Sequence, residues 1–360
     1  MIMTIEEKMA LIRQVGQEII TEEDLKKLLE SGETLIAYDG FEPSGQIHIA
    51  QGLLRAINVN KMTKAGIKFK MLVGDWHAMA NNKMAGDLEK IKIVGEYFVE
   101  VWRASGMNLD HVEFVWASEM VKNPDYWKLV IQIGRTNVLN RFIRTAEMMG
   151  REESLDTLTG ANIIYSCMQV ADIFMLGARV TQLGLDQRKV NMLAREVGPQ
   201  LGYWKPVVVS HHMLQGLGKP PESKDTKTRA IELKMSKSSP DSAIFMTDTT
   251  PEITRKLDKA WCPEGVIEEN PVLEYCRYIL FESFAEIVID RPEKFGGKVS
   301  YKTYADLEKD FADKKLHPQD LKKAAAGYLD QLLQPVRTHF ETDPRAKELL
   351  EKVRSFPVTR

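Results

Sequence analysis

The chain has 360 residues, 44% hydrophobic and 28% charged, with a formal net charge of −2 at pH 7. That is enough apolar material for two domains with a sizeable core. The near-zero charge argues against a protein coated in nucleic acid, while leaving room for local basic patches. No run of 18 apolar residues occurs, so no membrane span is expected. The start, Met1 to Lys8, leads into a polar helical pattern and not an apolar signal core, so no secretion is expected. Cys167, Cys262 and Cys276 are far apart and form no C-x-x-C pair. Their spacing points to a reducing, cytoplasmic setting and away from structural zinc.

The first predicted helix covers Glu22 to Glu30, with Thr21 as N-cap, Asp24 three residues on, and Gly32 as the stop. Apolar runs at Leu35 to Tyr38, Phe69 to Val73, Val112 to Trp116 and Val207 to Val209 read as buried parallel strands. Pro206 is tolerated at the start of the last. Helical patterns at Gly52 to Ala65 and Leu88 to Gly106 lie between them. This alternation predicts a doubly wound α/β sheet. Ligands of such sheets bind beyond the carboxyl ends of the strands, where Tyr38 and Asp75-Trp76-His77 fall. After Pro240 the pattern turns mainly helical. Thr250-Pro251-Glu252 opens one helix with Thr250 as N-cap. His317-Pro318-Gln319-Asp320 opens a long one with an apolar face of Leu321, Ala325, Leu329, Leu332 and Leu333. The predicted division is an α/β domain over residues 1–245 and a helical domain over 246–360. The tail beyond Glu341 is charged and helix-like, with no role assigned.

Two motifs carry phosphate chemistry. Tyr38-Asp39-Gly40-Phe41-Glu42-Pro43-Ser44-Gly45-Gln46-Ile47-His48-Ile49-Ala50-Gln51 reads as strand, glycine-punctuated turn and helix start. That geometry aims backbone N–H groups and a helix dipole at an anion. Lys234-Met235-Ser236-Lys237-Ser238 sets two lysines in a loop of small polar residues, able to close over phosphates.

With these two go Ile163-Ile164-Tyr165-Ser166-Cys167-Met168-Gln169-Val170-Ala171-Asp172-Ile173 and Gly184-Leu185-Asp186-Gln187-Arg188-Lys189. Pro292-Glu293-Lys294-Phe295-Gly296-Gly297 and Leu316-His317-Pro318-Gln319-Asp320-Leu321-Lys322 follow later in the chain. In this order the segments resemble the tyrosyl-tRNA synthetases of the archaeal and eukaryotic-cytosolic branch, class I aminoacyl-tRNA synthetases, over roughly residues 20–340. The resemblance implies a Rossmann-like catalytic domain with a dimerisation insertion near residues 110–165, then a helical anticodon-binding domain. It also implies ATP, tyrosine and tRNA(Tyr) as substrates, Mg²⁺ on the phosphates, and a homodimer. Trp127, Val130, Ile131 and Ile133 support the dimer indirectly as an apolar group in the insertion.

Carried over residue by residue, the resemblance assigns Tyr38 and Asp172 to the substrate phenol. Tyr165, Gln169 and Gln187 go to its α-amino and carboxylate groups, and Leu72 and His77 to the pocket wall. The spacing agrees, since Tyr165, Gln169 and Asp172 stand at i, i+4 and i+7 on one helical face. His48 and Gln51 fall beside the transferring phosphate, and Gly40 where backbone approaches nucleotide. Asp186 falls on the ribose, and Lys234, Met235 and Lys237 in the loop over pyrophosphate. Arg144 and Arg188 match acceptor-stem positions, with Arg135, Arg141 and Arg151 nearby in sequence. Phe295, His317 and Asp320 match anticodon-reading positions. The chain departs from the usual His-Ile-Gly-His motif at Ala50 and Gln51. An amide donates a hydrogen bond but cannot become cationic, so more of the phosphate charge falls to the lysines. Three alternatives stand beside this reading: a tryptophanyl-tRNA synthetase, a small-molecule nucleotidyltransferase, and a catalytically silent RNA-binding paralogue. Tyr38 with Asp172 favours a phenol over an indole. The anticodon-like segments and the complete lysine loop speak against the second, and intact Lys234, Lys237, Gln187 and Asp172 against the third.

Overall fold

In the computed structural model, which describes residues 3–146, 158–221, 233, 235 and 240–357, the first half is built on a six-stranded sheet of order β1-β6-β5-β2-β3-β4. Its strands are β1 (Glu18–Ile20), β2 (Ile36–Phe41), β3 (Lys68–Val73), β4 (Val112–Trp116), β5 (Val180–Thr181) and β6 (Val207–Ser210). The run from β6 to β4 is parallel, and β1 joins β6 antiparallel. All four predicted strands are present. The edge strand β1 and the two-residue β5 were not predicted, because neither is long enough to show a period. From β2 the chain winds outward through β3 to β4, then returns to lay β5 and β6 on the other side of β2. The winding direction therefore switches between β2 and β5, and a crevice opens at the carboxyl ends of those two strands.

Helices Glu22–Glu30, Leu53–Lys64 and Leu88–Ala104 fall where the periodicity put them. Thr21 Oγ1 caps the first by accepting from Asp24 N at 3.0 Å. The helix Thr250–Lys259 is capped by Thr249, one residue earlier than expected. Glu252 decides this. Its carboxylate accepts from Thr249 N at 2.7 Å and Thr249 Oγ1 at 2.8 Å, closing a capping box that needs the acid three residues beyond the cap. His317 caps the helix Pro318–Thr342, its Nδ1 accepting from Gln319 N at 3.1 Å. An antiparallel hairpin of β7 (Ile287–Ile289) and β8 (Val299–Tyr301) interrupts the helical half.

One apolar core runs from the sheet into the C-terminal helices without a break. Trp102, Tyr97 and Phe98 of helix Leu88–Ala104 are fully buried in it, and Tyr97 meets Phe340 at 5.4 Å between ring centres. The charged tail has a place here. Helix Pro344–Ser355 packs on Leu88–Ala104, with Arg345 3.1 Å from Glu96, while His339 of the preceding helix lies 2.9 Å from Glu100. A second core joins helices Pro124–Thr136, Gly160–Met175 and Arg188–Gln200.

Candidate active site

Two joined cavities open at the switch point. The larger, about 380 Å³, reaches from His48, Ala50 and Gln51 past Asp39 and Gly40 to Gly184, Asp186, His211 and Met235. The smaller, about 40 Å³, lies deeper, among Tyr38, Leu72, His77, Tyr165, Gln169 and Asp172. Gly40, Glu42, Tyr165, Gln169 and Gln187 border both. A Cβ on Gly40 would meet only Leu72, at an ordinary 3.5 Å, so the protein around it does not demand a glycine. Close approach by an occupant would.

The deep slot ends on Asp172, which is 1% exposed. Tyr126 Oη donates to its Oδ1 at 2.9 Å, and His77 Nε2 stands 2.8 Å from its Oδ2. Tyr126 comes from helix Pro124–Thr136 and His77 from helix Asp75–Ala80, which follows β3. Burial first, and Asp172 second, hold the phenols of Tyr38 and Tyr126 above their ordinary range, so both remain donors. For His77, burial opposes the charge, and Asp172 together with Glu42 and Asp75 outweighs it, so its pKa rises. The slot therefore ends in a buried carboxylate encircled by donors, a setting that accepts one further hydroxyl hydrogen.

Where the cavities meet, Tyr165 Oη donates to Glu42 Oε1 at 2.6 Å. Asn81 Nδ2 reaches both Glu42 oxygens, at 3.0 and 2.9 Å. Gln169 Nε2 donates to Gln187 Oε1 at 3.1 Å. Helix Gly160–Met175 carries Tyr165, Gln169 and Asp172 on one face, as their spacing required. A carboxylate, three carboxamides and a hydroxyl thus converge at this junction. Together they suit the ammonium and carboxylate of an α-amino acid.

Beneath the larger cavity lies Arg55, 1% exposed. It is ion-paired with Asp39 and bonds Gln182 Oε1. Burial raises the Asp39 carboxyl to about 6 against the pull of Arg55. His48 bridges to Phe245, and its carbonyl accepts from Gln51 N at 2.9 Å. Gln51 O in turn accepts from Trp102 Nε1 at 2.9 Å. The His48–Gln51 segment is a turn and not a helix start, since the helix begins at Leu53. Gly45, at φ +104°, makes the preceding bend. On the far side a Cβ at Gly184 would fall 2.5 Å from both Asp186 Oδ1 and Met213 Sδ, so Asp186 packs against bare backbone. Met235 is buried at the cavity edge. Lys234 and Lys237 lie outside the described residues, as does Arg151.

The expected RNA contacts divide. Lys189 Nζ donates to Arg144 O at 3.0 Å, which brings the helix carrying Arg144 beside the start of the helix carrying Arg188. Arg188 bonds Glu18 at 2.9 Å and Arg141 bonds Glu196 at 2.8 Å, both at the surface. Phe295 is 61% exposed, with Lys294 Nζ 4.9 Å from its ring centre. That is the posture of a stacking platform and not of a core residue. Asp320 lines a separate surface hollow with Asp290, Lys298 and Lys323. Of the four insertion residues, Ile131 alone is largely exposed, while Val130 and Ile133 are core. Val138, Leu139 and Ile164 are exposed in the same region.

Sequence reasoning missed Glu42, Tyr126, Arg55, Gln182 and His211. Glu42 carried a signal, an acid beside Gly40 within the first motif. The others carried none, because what places them is contact across 16 to 156 positions.

The model of the class I tRNA synthetases for W and Y matches residues 30–334. The chain belongs to that family. It is 49% identical over 359 residues to the cytoplasmic tyrosine–tRNA ligase 1 of Arabidopsis thaliana, covering 99% of this chain and 90% of that protein. It is 44% identical to the tyrosine–tRNA ligase of Thermococcus sibiricus, covering 98% of this chain and 99% of that one. The crystal structure of the Pyrococcus horikoshii tyrosyl-tRNA synthetase complexed with L-tyrosine superposes with a TM-score of 0.90 at 41% identity, over 97% of this chain and all of that one. Within the W and Y family, the chain belongs with the tyrosyl-tRNA synthetases of archaeal and eukaryotic type.

Proposed function

We propose that the chain is a tyrosine–tRNA ligase whose deep slot holds the tyrosine ring and whose larger cavity holds ATP. The observation that carries this reading is Asp172, buried at the slot's end between Tyr126 and His77. Asp172, with Tyr38 beside it, takes the phenol. Tyr165, Gln169, Gln187 and Glu42 hold the α-amino and carboxylate groups at the junction. The tyrosine carboxylate is already a nucleophile at pH 7 and needs no general base. It attacks the α-phosphorus of ATP, and the bond to pyrophosphate breaks. What the site supplies is alignment and positive charge on the phosphates. His48 and Gln51 act at the α-phosphate, Lys234 and Lys237 on the leaving pyrophosphate, and Asp186 on the ribose. Mg²⁺ enters with the nucleotide on its phosphate oxygens. In the second step a ribose hydroxyl of the terminal adenosine of tRNA(Tyr) attacks the tyrosyl carbonyl, and AMP leaves.

Arg144 and Arg188 serve the acceptor stem in this reading. The helical part from residue 246 serves the anticodon, through stacking on Phe295 and hydrogen bonds to Asp320 beside His317. The exposed Ile131, Val138, Leu139 and Ile164 support a homodimer formed through the insertion. Among the described residues no helix is long and apolar enough to cross a membrane. We place the activity in the cytoplasm, where the Arabidopsis relative is named. The test is charging of a tRNA(Tyr) transcript with tyrosine and ATP, with phenylalanine and tryptophan as controls. Charging that does not require tyrosine, or proceeds equally with tryptophan, refutes the assignment.

A further inference from the structure

The polar chain beneath the larger cavity fixes the protonation of a histidine for which the mechanism above has no use. Arg55 Nη2 donates to Gln182 Oε1, which orients that amide. Gln182 Nε2 then faces His211 Nδ1 at 3.0 Å, and Arg55 Nη1 faces the same nitrogen at 3.4 Å. Both are donors. Nδ1 must accept, so the single imidazole proton sits on Nε2. A doubly protonated ring would press a third N–H against these two, one of them on a cation. Burial and then Arg55 hold the His211 pKa well below its ordinary value, in agreement. The assembly is anchored at its other end by the buried Arg55–Asp39 pair. His211 borders the larger cavity, and no hydrogen bond engages its Nε2 among the described residues.

Its neighbours indicate what that donor meets. His211 pairs with Gly184 as a parallel bridge, and Leu185 N donates to His211 O at 3.1 Å. Asp186 lies one residue further along the same cavity wall. A carboxylate only accepts, and this imidazole Nε2–H only donates. A hydroxyl is the group that satisfies both at once, giving its hydrogen to one and a lone pair to the other. A phosphate has no hydrogen to offer Asp186 and would be repelled by it.

We infer that His211 is a nucleotide-binding residue, locked as the Nε2–H tautomer by Gln182 and Arg55, that donates to a ribose hydroxyl oxygen of ATP opposite Asp186. The inference rests on the reading of the larger cavity as the ATP site. It is tested on the full chain by tyrosine-dependent exchange of pyrophosphate into ATP. His211→Ala raises the KM for ATP about tenfold, the weight of one neutral hydrogen bond, and leaves the KM for tyrosine within about twofold. His211→Gln, whose Nε2 reaches the same position, restores it. Where the alanine variant does not fold, His211→Phe keeps the ring without the donor and gives the same reading. The decisive arm uses 2′-deoxyATP and 3′-deoxyATP. The penalty of losing the donor disappears with the analogue that lacks the contacted oxygen. An unchanged KM for ATP in an active enzyme, or an equal penalty with ATP and both analogues, overturns this inference alone. A wild-type chain with no tyrosine-dependent exchange overturns the cavity assignment and the inference with it.

Discussion

Replacing Asp172 by asparagine changes charge with little change of shape, and the structure sets the size of the effect. Three donors compete for this side chain once tyrosine is bound: Tyr126 Oη–H, now at 2.9 Å, His77 Nε2, now at 2.8 Å, and the substrate phenol. A carboxylate offers about four acceptor positions over two oxygens, enough for all three. An asparagine offers one oxygen and turns an NH₂ toward one of the former partners. At least one hydrogen bond to an ionised group is lost, worth about 1.5–3 kcal/mol. Tyrosine kcat/KM in the exchange assay should fall by a factor of about 10–150. Phenylalanine makes no such bond, so its kcat/KM should stay within about threefold, and selectivity should fall by nearly the whole factor. Tyrosine kcat/KM within threefold of wild type refutes the phenol assignment. A parallel drop for both amino acids does so as well, because it would reveal a general loss of the slot.

Three further outcomes follow from the same reasoning. Lys237→Ala should slow adenylate formation in single turnovers by about 10²–10³, as for other lost phosphate donors, with tyrosine affinity unchanged; an unaltered rate would remove Lys237 from the mechanism. Phe295→Ala should lower kcat/KM for a guanine-34 transcript by a factor of about 5–150, equivalent to about 1–3 kcal/mol of stacking, while pyrophosphate exchange stays at the wild-type rate; equal charging would show that Phe295 meets no base. His77 has a raised folded pKa, so its contribution to stability is fully present below the unfolded value of about 6.5 and fades as pH rises through the folded one. The urea-unfolding advantage of wild type over His77→Gln should therefore be largest near pH 6 and shrink toward pH 9, whereas a constant difference would mean that His77 does not titrate against Asp172.

The parts of this molecule legible in the sequence are those whose cause is local. Helix Gly160–Met175 displays Tyr165, Gln169 and Asp172 together because 3.6 residues make a turn. A continuous apolar run marks a strand buried on both faces, as in β6. Short elements escaped for the converse reason. β1, β7 and β8 have three residues each, too few to separate a strand period from chance. Thr249 lost the cap position in the reading to Thr250, because either threonine can cap and only the reach of Glu252 selects one. Val130 and Ile133 looked like interface residues because an apolar helix face gives no sign of whether it meets its own core or another chain. Tyr126 and His211 acquire their settings from partners far away in the chain, and no window of sequence contains both ends of those contacts.

The unbroken core has a practical consequence for anyone dissecting this enzyme. Cutting at residue 245 would strip Phe340, Val336 and Leu350 from the shared core and leave Tyr97 without the ring of Phe340. It would also sever Asp248 from Phe245 N, which donates to its Oδ2 at 2.9 Å, and Lys256 from Ala243 O, to which it donates at 2.9 Å in the interior. A fragment ending there should aggregate rather than yield a stand-alone activation module. Modular use of this chain will have to keep both halves and alter the surface of the second.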